Sequence, residues 1–139
     1  MRKKLKVLAV VAAISAGSFA FAQSSPQVKI IAYYFHGSFR CATCTNMEKY
    51  SKEAIEANFK DALSSGKLEF KAVNVEDRGN EHFVNDYKLY TKSLILSLVK
   101  DGKEVKSKNL DKIWALARNK QNFIEYVTVE VNTLMKDAQ

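Results

Sequence analysis

Three runs of the chain are apolar enough to be buried as strands, and the stretches between them repeat with a helical period. Val28 to Phe35 is almost continuously apolar and rich in β-branched and aromatic residues, which predicts a central strand covered on both faces. From about Ala42 to Ser64, apolar residues recur at spacings of three and four (Met47, Tyr50, Ala54, then Ile55, Phe59, Ala62 and Leu63). That spacing predicts one long helix, stopped by Ser65-Gly66. Leu68 to Val75 predicts a second strand, parallel to the first because a helix lies between them. Asn74 to Gly79 reads as a polar turn and Asn80 to Tyr90 as a short helix. Leu94 to Val99 predicts a third strand, and Asp101-Gly102 a two-residue hairpin into a fourth over Glu104 to Lys108. Asn109 is placed to cap a final helical region running through Ile113, Trp114, Phe123, Val127, Val131 and Leu134, with an interruption expected at 118–121. The predicted order is β-α-β-α-β-β-α, an α/β fold with a mixed central sheet flanked by helices.

The N-terminus follows a different pattern. Arg2, Lys3, Lys4 and Lys6 precede an apolar run from Val7 to Ala16, and Ala20-Phe21-Ala22 fits a small-x-small cleavage site. Residues 1–22 are therefore expected to be a cleaved Sec-type signal peptide, the run being short for a membrane span. Residues 23–139 are expected to form a single domain, exported to the periplasm, or secreted where there is no outer membrane. Removing the signal takes four of the 22 basic residues and none of the 15 acidic ones, so the formal charge falls from +7 to +3. No basic run with interleaved aromatics remains, so no nucleic-acid partner is expected. Lysines around the hairpin read as protection of an edge strand.

The chemistry is concentrated in one place. The only two cysteines, Cys41 and Cys44, are spaced Cys-x-x-Cys directly after the first predicted strand. At a helix N-terminus, free N–H groups and the helix dipole favour a thiolate over a thiol. Arg40 adds a positive charge beside Cys41. Cys41 is expected to be the attacking thiol and Cys44 the resolving one. A purely structural disulfide is the duller reading. Closing so short a loop restrains the unfolded chain by only about 2 kcal/mol, which makes it a poor staple. A metal reading is also open: Cys41, Cys44 and possibly His36 would offer soft ligands to copper, zinc or a metalloid, although one Cys-x-x-Cys pair alone is weak evidence. No cofactor is expected, since there is no Gly-rich dinucleotide fingerprint and too little chain to enclose a flavin.

Tyr33-Tyr34-Phe35 leading into Cys41-Ala42-Thr43-Cys44, followed by Ala72 to Asp77 and by Ser93 to Lys103, resembles the thioredoxin fold in its short form. More narrowly, Tyr34-Phe35-His36-Gly37 with Arg40-Cys41-x-Thr43-Cys44 resembles small exported thioredoxin-like proteins labelled as the nitrophenyl-compound nitroreductase subunit ArsF family. The resemblance implies a thiol–disulfide oxidoreductase or electron carrier acting on protein disulfides or dithiols. It also implies a membrane thiol-electron transporter of the cytochrome-biogenesis type as electron source. Three departures stand out. Lys92-Ser93 replaces the family's cis-proline, and a cis bond before serine costs about 3 kcal/mol. Ser93 is expected opposite Cys41, as a hydrogen-bond donor to it. Tyr34 or Phe35 stands where thioredoxins keep a buried acid. Ala42-Thr43 is neither the reducing nor the oxidising dipeptide of the family, with Thr43 modulating the pair. These departures keep a third reading open, a thioredoxin-like binding domain without turnover. His82 is expected to face solvent, Phe39 either shapes the surface beside Cys41 or packs under the loop, and Trp114 reads as core.

Overall fold

A computed structural model describes residues 27–138; the predicted signal peptide, residues 1–22, lies outside the described residues. The chain runs β1 (Val28–His36), α1 (Ala42–Asn58), α2 (Lys60–Ser64), β2 (Leu68–Asn74), α3 (His82–Asp86), β3 (Ser93–Lys100), β4 (Lys103–Asn109), α4 (Ile113–Leu116) and α5 (Lys120–Asp137). The four strands form one sheet in the order β2-β1-β3-β4. β1 is parallel to β2 and antiparallel to β3, which forms a hairpin with β4. This mixed sheet flanked by helices is the α/β architecture that the apolar pattern predicts.

Register decides what each face of the sheet does. Ile30, Ala32 and Tyr34 of β1 lie beside Leu98, Leu96 and Leu94 of β3. Adjacent paired residues point to the same side. These six join Met47, Ala54 and Ile55 of α1 and Phe123, Val127 and Val131 of α5 in one buried core. α1 and α5 also meet edge-to-face through Tyr50 and Phe123, ring centroids 5.7 Å apart. On the opposite face the short helix α3 lays Phe83 over Tyr33 and Phe35 at centroid distances of 5.6 and 5.0 Å.

Three boundaries depart from the sequence reading. The long helix breaks after Asn58, at buried Phe59 (φ −130°, ψ 36°). The Asn58 side chain donates to the Ala54 carbonyl at 2.8 Å, a local bond that competes with helix continuation. The final helix is capped by Asn119, whose side chain accepts the Asn122 N–H at 3.0 Å, and not by Asn109. Asn109 instead ends β4, paired with Ile95. The expected helix over 80–90 shrinks to five residues. The hairpin is as predicted: Asp101 and Gly102 both have positive φ, 50° and 78°, as a two-residue turn between twisted strands requires.

Candidate active site

β1 ends at His36, and a four-residue loop delivers Cys41 to the start of α1. Cys41 is the N-cap, with extended backbone (φ −86°, ψ 162°), and its Sγ accepts the Cys44 N–H at 3.1 Å. A cysteine thus does what serine or aspartate does at an ordinary N-cap. The two cysteines are joined as a disulfide with Cα atoms 5.1 Å apart. Cys41 is partly exposed, whereas Cys44 is 1% exposed against the core. Cys41, expected to attack, is the more exposed of the two, and Cys44, expected to resolve, is the buried one.

The inner side of the pair is held by Tyr34. Its hydroxyl donates to the Cys44 carbonyl at 2.7 Å, and the residue is fully buried. Burial pushes the phenol well above its ordinary range, so the hydroxyl stays neutral and remains a donor. Of the two residues expected in place of a buried acid, Tyr34 is therefore the one facing Cys44. Phe35 points to the other face, against Phe83. A tyrosine inside an apolar strand carries the signal that finds this contact, because a buried phenol needs a partner.

Arg40 serves differently from the sequence reading. Its guanidinium donates to the Glu48 carboxylate and lies 3.3 Å from the His36 Nε2. Its charge is matched by Glu48 one helical turn beyond Cys44, so it does not act as a free cation beside Cys41. His36 Nδ1 lies 2.9 Å from the Gly37 carbonyl. A neutral ring protonated on Nδ1 satisfies both contacts. Both ring nitrogens are thus engaged, and among the described residues no group of three His, Cys, Asp or Glu side chains comes together as a metal site. His36 is not brought to the cysteines as a third ligand. Thr43 lies exposed on the first turn.

Across from the pair, the β1–β3 register sets Ser93 beside Phe35 and brings the 90–92 loop up to the redox loop. Ser93 is buried, but its hydroxyl donates to the Thr91 carbonyl at 2.9 Å and so is not directed at Cys41. There is no cis peptide bond among the described residues. Trp114 is not core, as its apolar spacing implied, but 40% exposed. Its Nε1 donates to the Lys92 carbonyl at 2.9 Å, tethering the loop before Ser93. Lys92 in turn holds its ammonium 5.8 Å from the centre of the Phe39 ring. Phe39 and Tyr90 are 76% and 95% exposed, apolar surface on the loops before Cys41 and before Ser93, of which sequence reasoning singled out only Phe39.

The redox loop is also held from below. Glu76, in the turn after β2, accepts the Ser38 N–H at 3.0 Å, and Asn74 donates to the Ser38 hydroxyl at 3.2 Å. The Ser38 hydrogen bonds hold the Glu76 carboxyl below its ordinary range.

No family model and no curated protein matches the chain. Among solved structures, the X-ray structure of Fasciola hepatica thioredoxin is 25% identical, over 72% of this chain and 79% of that one, with a TM-score of 0.40.

Proposed function

We propose that the protein is a thiol–disulfide oxidoreductase or electron carrier working through Cys41 and Cys44. The observation that carries this reading is the Cys44 N–H directed at the Sγ of a partly exposed N-cap cysteine. The same contact stabilises a thiolate when the disulfide is reduced. In the reducing direction, the Cys41 thiolate attacks one sulfur of a partner disulfide and expels the other partner sulfur as a thiolate. Cys44 loses its proton and attacks Cys41 Sγ, restoring the internal disulfide and releasing the second partner thiolate. Two electrons pass from the dithiol to the partner, and each released thiolate takes up a proton. The reverse sequence oxidises a partner dithiol.

Phe39 on the loop before Cys41, Tyr90 on the loop before Ser93 and Trp114 on α4 are exposed and offer apolar contact area to a protein partner. Export by residues 1–22 makes this a periplasmic reaction, and a membrane thiol-electron transporter would renew the dithiol by the same exchange. The narrower resemblance adds the possibility of an accessory carrier feeding electrons to a nitroreductase.

The equilibrium reduction potential of the metal-free mature domain tests the reading. It is read by alkylation and intact mass in defined thiol/disulfide buffers. A value between about −120 and −270 mV is expected. Cys41→Ser should abolish exchange, and Cys44→Ser should accumulate the mixed disulfide as a covalent adduct. A value below about −300 mV, with slow exchange that Cys41→Ser leaves unchanged, would mean a structural bond on a binding domain.

A further inference from the structure

Among the described residues the buried polar side chains Tyr34, Ser51, Ser93 and Ser97 each make a hydrogen bond, and one of them reaches the redox pair. We propose that Tyr34 is a positioning residue for that pair: its hydroxyl clamps the Cys44 carbonyl and so keeps the Cys44 N–H aimed at Cys41 Sγ. This rests on the redox reading above and adds a residue outside the Cys-x-x-Cys motif to the machinery.

The geometry is specific. Cys44 is gripped on both sides of its Cα, with its N–H on Cys41 Sγ at 3.1 Å and its carbonyl oxygen on Tyr34 at 2.7 Å. Each bond fixes one of the two peptide planes flanking residue 44, so its φ and ψ are both restrained. The anchor is itself immobile: Tyr34 pairs with Ala72 of β2 on one side and Leu94 of β3 on the other. It lies in the only strand of the sheet that is parallel to one neighbour and antiparallel to another. The ring alone would pack equally well as phenylalanine among its apolar neighbours. The hydroxyl has one hydrogen-bond partner, and that partner is the backbone of the resolving cysteine. Since the Cys44 N–H bond strengthens when Cys41 becomes a thiolate, anything that steadies it favours the reduced state.

Tyr34→Phe removes the hydroxyl and leaves the ring. Two quantities separate positioning from ordinary stabilisation. The first is the equilibrium constant for protein disulfide plus two glutathione thiols going to protein dithiol plus glutathione disulfide. The second is the pH midpoint of Cys41 alkylation in the reduced protein. A hydrogen bond that merely stabilises the fold counts equally in both redox states, so its loss lowers the melting temperature and moves neither quantity. A clamp on the thiolate donor counts more in the reduced state. The expected result is a shift of the equilibrium toward the disulfide by about threefold to tenfold, the range of one net hydrogen bond, with the alkylation midpoint moving upward. Ser51→Ala is the matched control: its buried hydroxyl donates to the Met47 carbonyl at 2.7 Å one turn along the same helix, and its loss should affect stability alone. Tyr34→Phe values equal to wild type, or shifted the opposite way, would overturn the proposal while leaving the redox reading intact. A wild-type reduction potential in the range of a structural bond, with slow exchange that Cys41→Ser leaves unchanged, would overturn both.

Discussion

The two faces of the sheet are stabilised by different means. On one, Ile30, Ala32, Tyr34, Leu94, Leu96 and Leu98 lie under α1 and α5, and every one of them is at most 3% exposed. On the other, a five-residue helix and the residue that ends it cover Tyr33 and Phe35 with Phe83 and Tyr87, and the remainder opens into a cleft of about 820 Å³ lined by Ile31, Tyr33 and Val99. There the side chains are tied by polar contacts instead: Tyr87 and Ser97 both donate to Glu104, and Lys29 bridges to Glu69. The redox pair belongs to the first face. Cys44 and the hydroxyl that holds it stand on the densely packed side, where a hydrogen bond is shielded from water and a small displacement meets resistance.

That contrast is sharpest in stability. Leu96→Ala leaves a cavity in the middle of the packed face and should cost about 2–5 kcal/mol. Phe83→Ala removes a larger side chain from the thinly covered face, yet Phe83 is only partly buried, and about 1–2 kcal/mol is expected. Urea titrations of the oxidised protein measure both. If Phe83→Ala proved the more damaging, the open face would be the structural centre and the comparison would be reversed.

How much of this was legible in the sequence depends on the kind of interaction. Apolar runs are read directly, so the strands, the mixed sheet and the position of Cys41 and Cys44 follow from pattern. The Asp101-Gly102 turn follows because two positive φ angles restrict the residues that fit. What escapes is the partner of each polar atom. Asn109 and Asn119 both precede apolar helical spacing, and only packing determines that the first ends a strand and the second caps a helix. Trp114 falls in the apolar pattern, but its N–H must reach an acceptor, and the Lys92 carbonyl holds it at the surface. Arg40 beside Cys41 invites a direct electrostatic role, yet Glu48 lies within its reach once the helix has formed.

A smaller effect tests the seam where the redox loop crosses to the polar side. A methyl group added at Gly37 would lie 2.6 Å from Glu76 Oε1, the far end of a flexible side chain. In Gly37→Ala the carboxylate swings away and releases the Ser38 N–H, with a small loss of stability. The sharper readout is the Glu76 carboxyl itself. Its titration, followed by NMR, should rise toward the ordinary carboxylate range, because the Ser38 bonds that depress it are gone. An unchanged Glu76 titration would mean that this loop is held by its backbone and not by the turn beneath it.

The weakest contribution expected is that of the charges on the open face. Glu69 lies 3.0 Å from Lys29 Nζ and 3.2 Å from Lys71 Nζ, and its register with Ile31 sets it on the thinly covered side. The hydrogen bond from Lys29 is the main reason its carboxyl is depressed, with Lys71 adding to it. A carboxyl whose folded value lies below its unfolded one stabilises the fold above the unfolded value, and that contribution is lost as pH falls through the folded one. The window for Glu69 therefore opens below about pH 4.5. All three side chains are more than a third exposed, so solvent screening limits the triad to a few tenths of a kcal/mol. In Glu69→Gln, stability at pH 7 and low salt should fall by that amount, and the difference from wild type should vanish in 1 M salt and shrink as pH falls below about 4.5. A loss of several kcal/mol that persisted in salt would show the polar side of the sheet to be as essential as the packed one, and the two faces would then differ in chemistry but not in strength.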